Sequence, residues 1–217
     1  MGLATGLERR LEAAIDGLAA RVFRGAVTAG EVAARLAREA DLSEFETLAG
    51  RGTANSYVVL LHPADLPEQG DGLVGELENA LSGYAAERGL RLEGPVRIRL
   101  LGDPQLRPGT VRCRGVAEAG PLQPWARLRG EVEILVGHNR ALVGRGPDCD
   151  VVLDAPEVSR HHAILFRQAD EVWVADLRSA NGSAVDGRPL GEAPRRAGFG
   201  SLLRFANQSF RVLRCQS

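Results

Sequence analysis

Three short stretches in the second half of this 217-residue chain carry side chains suited to one kind of chemistry. Gly144-Arg145 closes an apolar run, Val158-Ser159-Arg160-His161-His162-Ala163 follows, and Asp176-Leu177-Arg178-Ser179-Ala180-Asn181-Gly182 comes next. Brought together they offer two guanidinium groups, a serine hydroxyl, a carboxamide and the free N–H groups of turns. No nucleophile–base pair has catalytic spacing. The set suits a tetrahedral dianion. Guanidinium forks give charge-assisted hydrogen bonds to phosphate oxygens, a hydroxyl donates one more, and an asparagine can hold a peptide backbone.

These stretches can meet only as turns at one end of a common scaffold, and the surrounding sequence supplies one. Glu131–Val136, Ala141–Gly144, Val151–Leu153, Ala163–Phe166, Val172–Ala175, Ser201–Phe205 and Ser209–Leu213 are short β-rich runs. Asn181-Gly182 and Asp186-Gly187 are tight-turn dipeptides between such runs. The pattern predicts an all-β, antiparallel β-sandwich over residues 131–217, with its loops gathered at the two ends.

The first half reads differently. Leu3, Leu7, Leu11, Ile15, Leu18 and Val22 recur at helical spacing. Thr28 with Glu31 has the form of a capping box opening a second helix. Leu77, Leu81 and Tyr84 predict a third, stopping near Gly89. Tyr57–Leu61 reads as a buried strand, Val96–Leu100 as a strand with one wet face, and Thr110–Val116 as another. Residues 1–116 therefore predict an α+β domain with a small sheet and about three helices. Pro121, Pro124 and the glycines at 120 and 130 make 117–130 a short linker.

Composition narrows the function. All 27 Lys+Arg residues are arginine, so no Schiff-base, Walker-A or kinase-type lysine exists. The net charge of −1 leaves no global basic excess for nucleic acid. Cys113, Cys149 and Cys215 form no C-x-x-C pair, and no apolar run reaches the ~18 residues of a membrane span. The acidic N-terminal segment is unlike a signal peptide. A cytoplasmic protein without metal or other cofactor is expected.

Gly144-Arg145, Ser159-Arg160-x-His162, Ser179-x-Asn181-Gly182 and Val185-x-Gly187 together resemble the forkhead-associated (FHA) signature over about residues 131–214. The resemblance implies an FHA/SMAD-like sandwich that binds phosphothreonine peptides. It implies phosphopeptide-binding roles for Arg145, Ser159, Arg160, Ser179 and Asn181, and architectural roles for Gly144, His162 and Gly182. Ala180 stands where many members carry Thr or Ser. The first half resembles the N-terminal domain of mycobacterial-type FhaA proteins through Gly6-Leu7-Glu8, Ala19-x-x-Val22-Phe23-Arg24-Gly25, Glu31-Val32-Ala33-x-x-Leu36, Asn55-x-Tyr57-x-Val59 and Gly94-Pro95-Val96. The partner implied is a phosphothreonine-bearing Ser/Thr kinase, pseudokinase or kinase substrate, with the chain as a non-enzymatic adaptor.

Rival readings of the same residues are weaker. Adjacent His161 and His162 on a strand would point to opposite faces and cannot readily share a metal. Asp148, Cys149 and Asp150 suit a turn before a strand. Gly70-Asp71-Gly72-Leu73-Val74-Gly75 matches G-x-G-x-x-G but is separated from the preceding strand by a proline-containing stretch. Two further functions stay open: a phosphate-independent interaction scaffold, and nucleic-acid binding through the Arg97/Arg99 and Arg112/Arg114 strands. Against the latter, residues 1–115 hold 14 Arg and 16 Asp+Glu.

Overall fold

The computed structural model describes residues 27–67, 71–168 and 171–215. The helix expected over Leu3–Val22 lies outside them; two α-helices and one 3-10 turn occur among the described residues. The chain divides into two compact units, one of Met1–Phe45 with Gly52–Gly120 and one of Glu46–Arg51 with Pro121–Ser217.

In the first unit, α1 (Ala29–Leu42) starts at the predicted capping box. Glu31 N donates to Thr28 Oγ1 at 3.2 Å and Thr28 N donates to Glu31 Oε2 at 2.7 Å. Its apolar face, with Val32 and Leu36, is buried. Past a hairpin, β1 (Phe45–Thr47) and β2 (Gly50–Gly52), whose residues 46–51 belong to the second unit, come β3 (Ser56–Leu61), α2 (Asp71–Glu87), β4 (Arg97–Gly102) and β5 (Arg112–Val116). Strand β3 is central, with β4 parallel on one side and β5 antiparallel on the other. The crossover through α2 is what permits the parallel pair.

Alternation along β3 buries Tyr57, Val59 and Leu61 in one core with Leu36, Leu77, Leu81 and Ile98. The other face carries Ser56, Val58 and Leu60 on β3, opposite Arg97, Arg99 and Leu101 of β4, and Val116, Arg114 and Arg112 of β5. Both sheet edges are blunted by helix carboxylates. Glu78 Oε1 accepts from Ile98 N at 2.9 Å, and Glu39 Oε1 accepts from Gly115 N at 3.0 Å.

Asn55 ties the unit together from a buried position. Its Nδ2 donates to Pro95 O and Glu118 O at 3.2 and 3.0 Å, and its Oδ1 accepts from Glu118 N at 2.9 Å. Asn55→Ala would leave these groups short of partners. We expect it to destabilise this unit by about 3 kcal/mol, read as a lower thermal midpoint and faster amide exchange at Glu118.

The second unit consists of two sheets around one apolar core. Strands β6 (Ala126–Arg129), β7 (Glu133–Val136), β12 (Ser183–Val185), β13 (Arg188–Pro189), β15 (Leu202–Phe205) and β16 (Gln208–Arg214) form a six-stranded sheet, ordered β13-β12-β15-β16-β6-β7. Strands β8 (Arg140–Gly144), β9 (Val151–Val152), β10 (Ala163–Gln168), β11 (Glu171–Asp176) and β14 (Arg195–Ala197) form the other, ordered β14-β11-β10-β8-β9. Leu128, Leu203, Phe205 and Val212 from the first meet Val143, Val151, Leu165 and Val174 from the second.

Two expectations need correction. Residues 126–129, placed in the linker by their proline- and glycine-bearing surroundings, form β6 inside a sheet, because Ala126 and Leu128 alternate into the core. The pairing is also not wholly antiparallel, since β8 and β9 run parallel. Asp150 Oδ2 accepts from Leu142 N at 2.7 Å and Leu153 N donates to Gly144 O at 2.8 Å, which fixes β9 in that direction along β8.

Candidate functional site

Three loops meet at one end of this unit: β8–β9, β9–β10 and β11–β12. The β9–β10 loop is the hub. From the β8–β9 side, Arg145 N donates to Ser159 O and Gly146 N to Arg160 O, both at 2.9 Å. Arg145 Nε donates to Val158 O at 3.2 Å. From the β11–β12 side, Ala180 N donates to Ser159 Oγ at 3.1 Å and Asn181 Nδ2 to Glu157 O at 2.8 Å.

These bonds decide what each side chain has left to offer. Arg145 is exposed and uses one of its five donors, and among the described residues it has no carboxylate partner. Ser159 accepts from Ala180, so its own hydroxyl proton can point outward. Asn181 keeps its carbonyl oxygen and a second N–H. Arg160 is exposed but lies near Asp148, whose carboxyl is held below the usual range first by its bond to His161 and in smaller part by Arg160.

Ser179, expected with the ligand-binding group, is wired into its own turn. Its Oγ donates to Asp176 Oδ2 at 2.8 Å and its N donates to Asp176 Oδ1 at 2.8 Å. Ser183 Oγ donates to the same carboxylate. Burial alone would raise the Asp176 pKa, but the bonds from Ser183 and Ser179 outweigh it and leave the carboxyl lowered. Asp176 is the anchor of this loop, a role that sequence reasoning missed. The Asp-x-x-Ser spacing of a side-chain turn was the available signal.

Gly144 and His162 hold the hub. A Cβ on Gly144 would lie 2.1 Å from Arg160 O. His162 is fully buried; its Nδ1 accepts from Ser159 N at 3.1 Å, and its Nε2 lies 3.2 Å from Gly182 O. A carbonyl cannot donate, so the ring is neutral with its proton on Nε2. Burial lowers its pKa below 6.5, against smaller raising effects of the Gly182 carbonyl and the Asp176 carboxylate 3.9 Å away.

Lowering the pH should therefore destabilise this unit through His162. The unfolded histidine takes up a proton near pH 6.5, whereas the folded one does so only at lower pH. Stability falls as pH drops below about 6.5 and levels off below the folded pKa. Thermal melts from pH 7.5 to 5 should show this slope, and His162→Gln should flatten it.

Cys149 donates its S–H to Arg160 O at 3.1 Å, a second bond to that carbonyl beside the one from Gly146 N. Asp148, Cys149 and His161 place one possible metal-ligating atom each within 4.8 Å of one another. The Asp148–His161 contact is 2.8 Å, and burial, with the neighbouring Asp148, raises the Cys149 thiol pKa. The thiolate form that a metal requires is thus disfavoured there.

Loop-borne guanidinium, hydroxyl and amide groups at one end of two packed β-sheets define an FHA domain, and residues 141–206 match the family described as FHA domain. Residues 5–114 match the family described as FhaA, N-terminal domain. The chain belongs to the FhaA family, with the FhaA N-terminal domain followed by an FHA domain.

Over 55 residues it is 40% identical to a Corynebacterium jeikeium (strain K411) protein named oxoglutarate dehydrogenase inhibitor; the match covers 25% of this chain and 38% of that protein. Among solved structures it is similar to Mycobacterium tuberculosis EmbR in complex with a low-affinity phosphopeptide, with 26% identity, 44% of this chain, 26% of that one and a TM-score of 0.40. It is also similar to the FhaA FHA domain complexed with the intracellular domain of Rv3910, with 23% identity, 40% of this chain, 98% of that one and a TM-score of 0.37. A third likeness is to the N-terminal FHA domain of S. cerevisiae Rad53p with a phosphothreonine peptide, with 14% identity, 42% of this chain, 94% of that one and a TM-score of 0.39.

Proposed function

We propose that the chain is a non-enzymatic phosphothreonine-peptide adaptor acting in the cytoplasm, in Ser/Thr-kinase signalling. Its partner is a phosphothreonine-bearing kinase, pseudokinase or kinase substrate, and no cofactor is needed. The C-terminal domain is an FHA-type sandwich presenting the site, and the N-terminal domain over 1–116 is a separate α+β module. No described helix is long and apolar enough to cross a membrane.

One observation supports this reading above the others. The three loops are bonded to one another in a way that leaves the outer donors of Arg145, the Ser159 hydroxyl proton and half of the Asn181 amide unspent at one place. In the proposed complex, Arg145 and Ser159 donate to the phosphate. Asn181 bonds the peptide main chain beside the phosphothreonine, and Arg160 supports the phosphate from the flank. Donors fixed before binding have little ordering cost left to meet.

The test is a titration of the full chain with a phosphothreonine peptide and its unmodified twin. Charge-assisted bonds of about 1.5–3 kcal/mol each predict at least a hundredfold preference for the phosphorylated form. Equal affinities for the two peptides would reject the proposal.

A further inference from the structure

The open face of the first unit's sheet has a pattern that the phosphate site does not use. Successive rows across β4, β3 and β5 read Arg97-Ser56-Val116, Arg99-Val58-Arg114 and Leu101-Leu60-Arg112. Val116, Val58, Leu60 and Leu101 therefore form one diagonal apolar band. Arg97 and Arg99 lie on one side of it, Arg112 and Arg114 on the other. No acidic side chain projects from this face of the three strands. All four arginines are exposed, and Leu101 and Val116 are each 45% exposed despite being large and apolar. Arg97 approaches Glu78 only to 3.9 Å and remains 66% exposed. Among the described residues Arg99, Arg112 and Arg114 have no carboxylate partner.

We propose that this face is a docking surface for an amphipathic helix of a partner protein, with acidic residues on both flanks of its apolar stripe. The dimensions fit. The band crosses three strands and two side-chain repeats, a diagonal of about 16 Å at ordinary strand spacings. A helix of about 11 residues spans that length, and its diameter of about 10 Å matches the gap between the two arginine clusters. Its apolar stripe would cover Val58 and Leu60, while carboxylates on either side meet the guanidinium groups.

Other occupants fit less well. A second copy seated symmetrically would set arginines against arginines. Single-stranded nucleic acid would find charge, but no aromatic ring on which to stack bases, and its backbone has no counterpart to the apolar band. Glu78 and Glu39 each occupy one outward N–H of an edge strand, at Ile98 and Gly115, which counts against an added β-strand.

The test uses the full chain and a fluorescent 16-residue helical peptide with a leucine stripe flanked by glutamates. Three comparison ligands accompany it: the same peptide with lysine for glutamate, the same with serine for leucine, and a 20-nucleotide oligothymidylate. Binding of the first peptide is expected to be at least tenfold tighter than that of any comparison ligand. Arg99→Glu/Arg114→Glu and, separately, Val58→Ser should each weaken it at least tenfold. Arg107→Glu, elsewhere on this unit, should leave it unchanged. Circular dichroism melts show whether each variant folds, and Arg99→Gln/Arg114→Gln replaces the charge reversal if that one does not. Backbone NMR shifts on titration should centre on β3–β5.

Several results would overturn the proposal: no peptide binding by the folded protein, binding indifferent to the stripe or to these variants, or oligothymidylate binding more tightly than the peptide. A dimer of the full chain that Val58→Ser dissolves would also overturn it. Phosphopeptide affinity is not involved in any of these measurements, so this test stands or falls apart from the FHA site.

Discussion

Arg145→Ala is expected to lower the affinity for a phosphothreonine peptide by about a hundredfold, with little change in stability. The guanidinium is exposed and spends only Nε within the protein, on Val158 O. Its remaining donors can form two charge-assisted bonds to phosphate. Losing them costs about 3 kcal/mol, and each 1.4 kcal/mol is a factor of ten in affinity. Ser159→Ala should cost less in binding, about tenfold, because one donor is lost. It should cost more in stability than Arg145→Ala, since Ala180 N loses its acceptor. Isothermal titration with paired thermal melts separates the two effects. An Arg145→Ala variant that binds the peptide as the parent does would remove Arg145 from the site. Unmodified peptide should respond to neither substitution.

Selection of phosphothreonine over phosphoserine is a smaller effect. One buried methyl contributes about 0.8 kcal/mol, roughly a fourfold preference, unless a shaped pocket adds to it. Ala180 has no hydroxyl, and its contribution to the hub is its backbone N–H, which bonds to Ser159 Oγ.

That these residues gather at one end of the fold was legible in sequence, because they lie within loops and are polar types with few structural reasons to occur in that order. Gly144, Arg145, Ser159, His162 and Asn181 are close in space because three loops share one hub, and the motif spacing encodes that arrangement. Ser179 marks the limit of such reading, because a hydroxyl at the right spacing says nothing of which group it bonds. In the folded chain its Oγ lies 2.8 Å from Asp176 Oδ2, a carboxylate oxygen that can only accept from it. The Asp-x-x-Ser spacing that marks Asp176 as the anchor of the turn is a weak signal, since an aspartate at a strand end reads equally well as a solvated terminus.

In the fold, periodicity found α1, α2, β3, β4 and β5, where one face is buried and the pattern is strong. It missed β6, because four residues are too few for alternation to outweigh the prolines before them. The arginine-flanked band was half visible. The Arg97/Arg99 and Arg112/Arg114 pairs stood out, but only the register of β4 and β5 on β3 puts them on one face with apolar residues between.

Gly144→Ala should abolish phosphopeptide binding without removing any side chain assigned to the phosphate. A methyl here would lie 2.1 Å from Arg160 O and 2.8 Å from Arg160 C, both backbone atoms. That carbonyl is already held by Gly146 N at 2.9 Å and Cys149 Sγ at 3.1 Å, so it cannot yield without breaking bonds. Moving it would also disturb the adjacent Arg145 N–Ser159 O bond and with it the geometry of the hub. The expected loss is about 3 kcal/mol in the stability of the second unit. Gly146→Ala is the matched control. Its Cβ would meet chiefly Asp148 Oδ1, at 2.4 Å, with Arg160 O at 3.1 Å. The Asp148 side chain is 51% exposed and can swing into solvent. Two alanines two residues apart should thus differ sharply, the first losing binding and lowering the thermal midpoint by many degrees, the second altering both only slightly. If Gly144→Ala bound phosphopeptide like the parent, the close approach of β8 to the β9–β10 loop would not be what holds Arg145 and Ser159 in place.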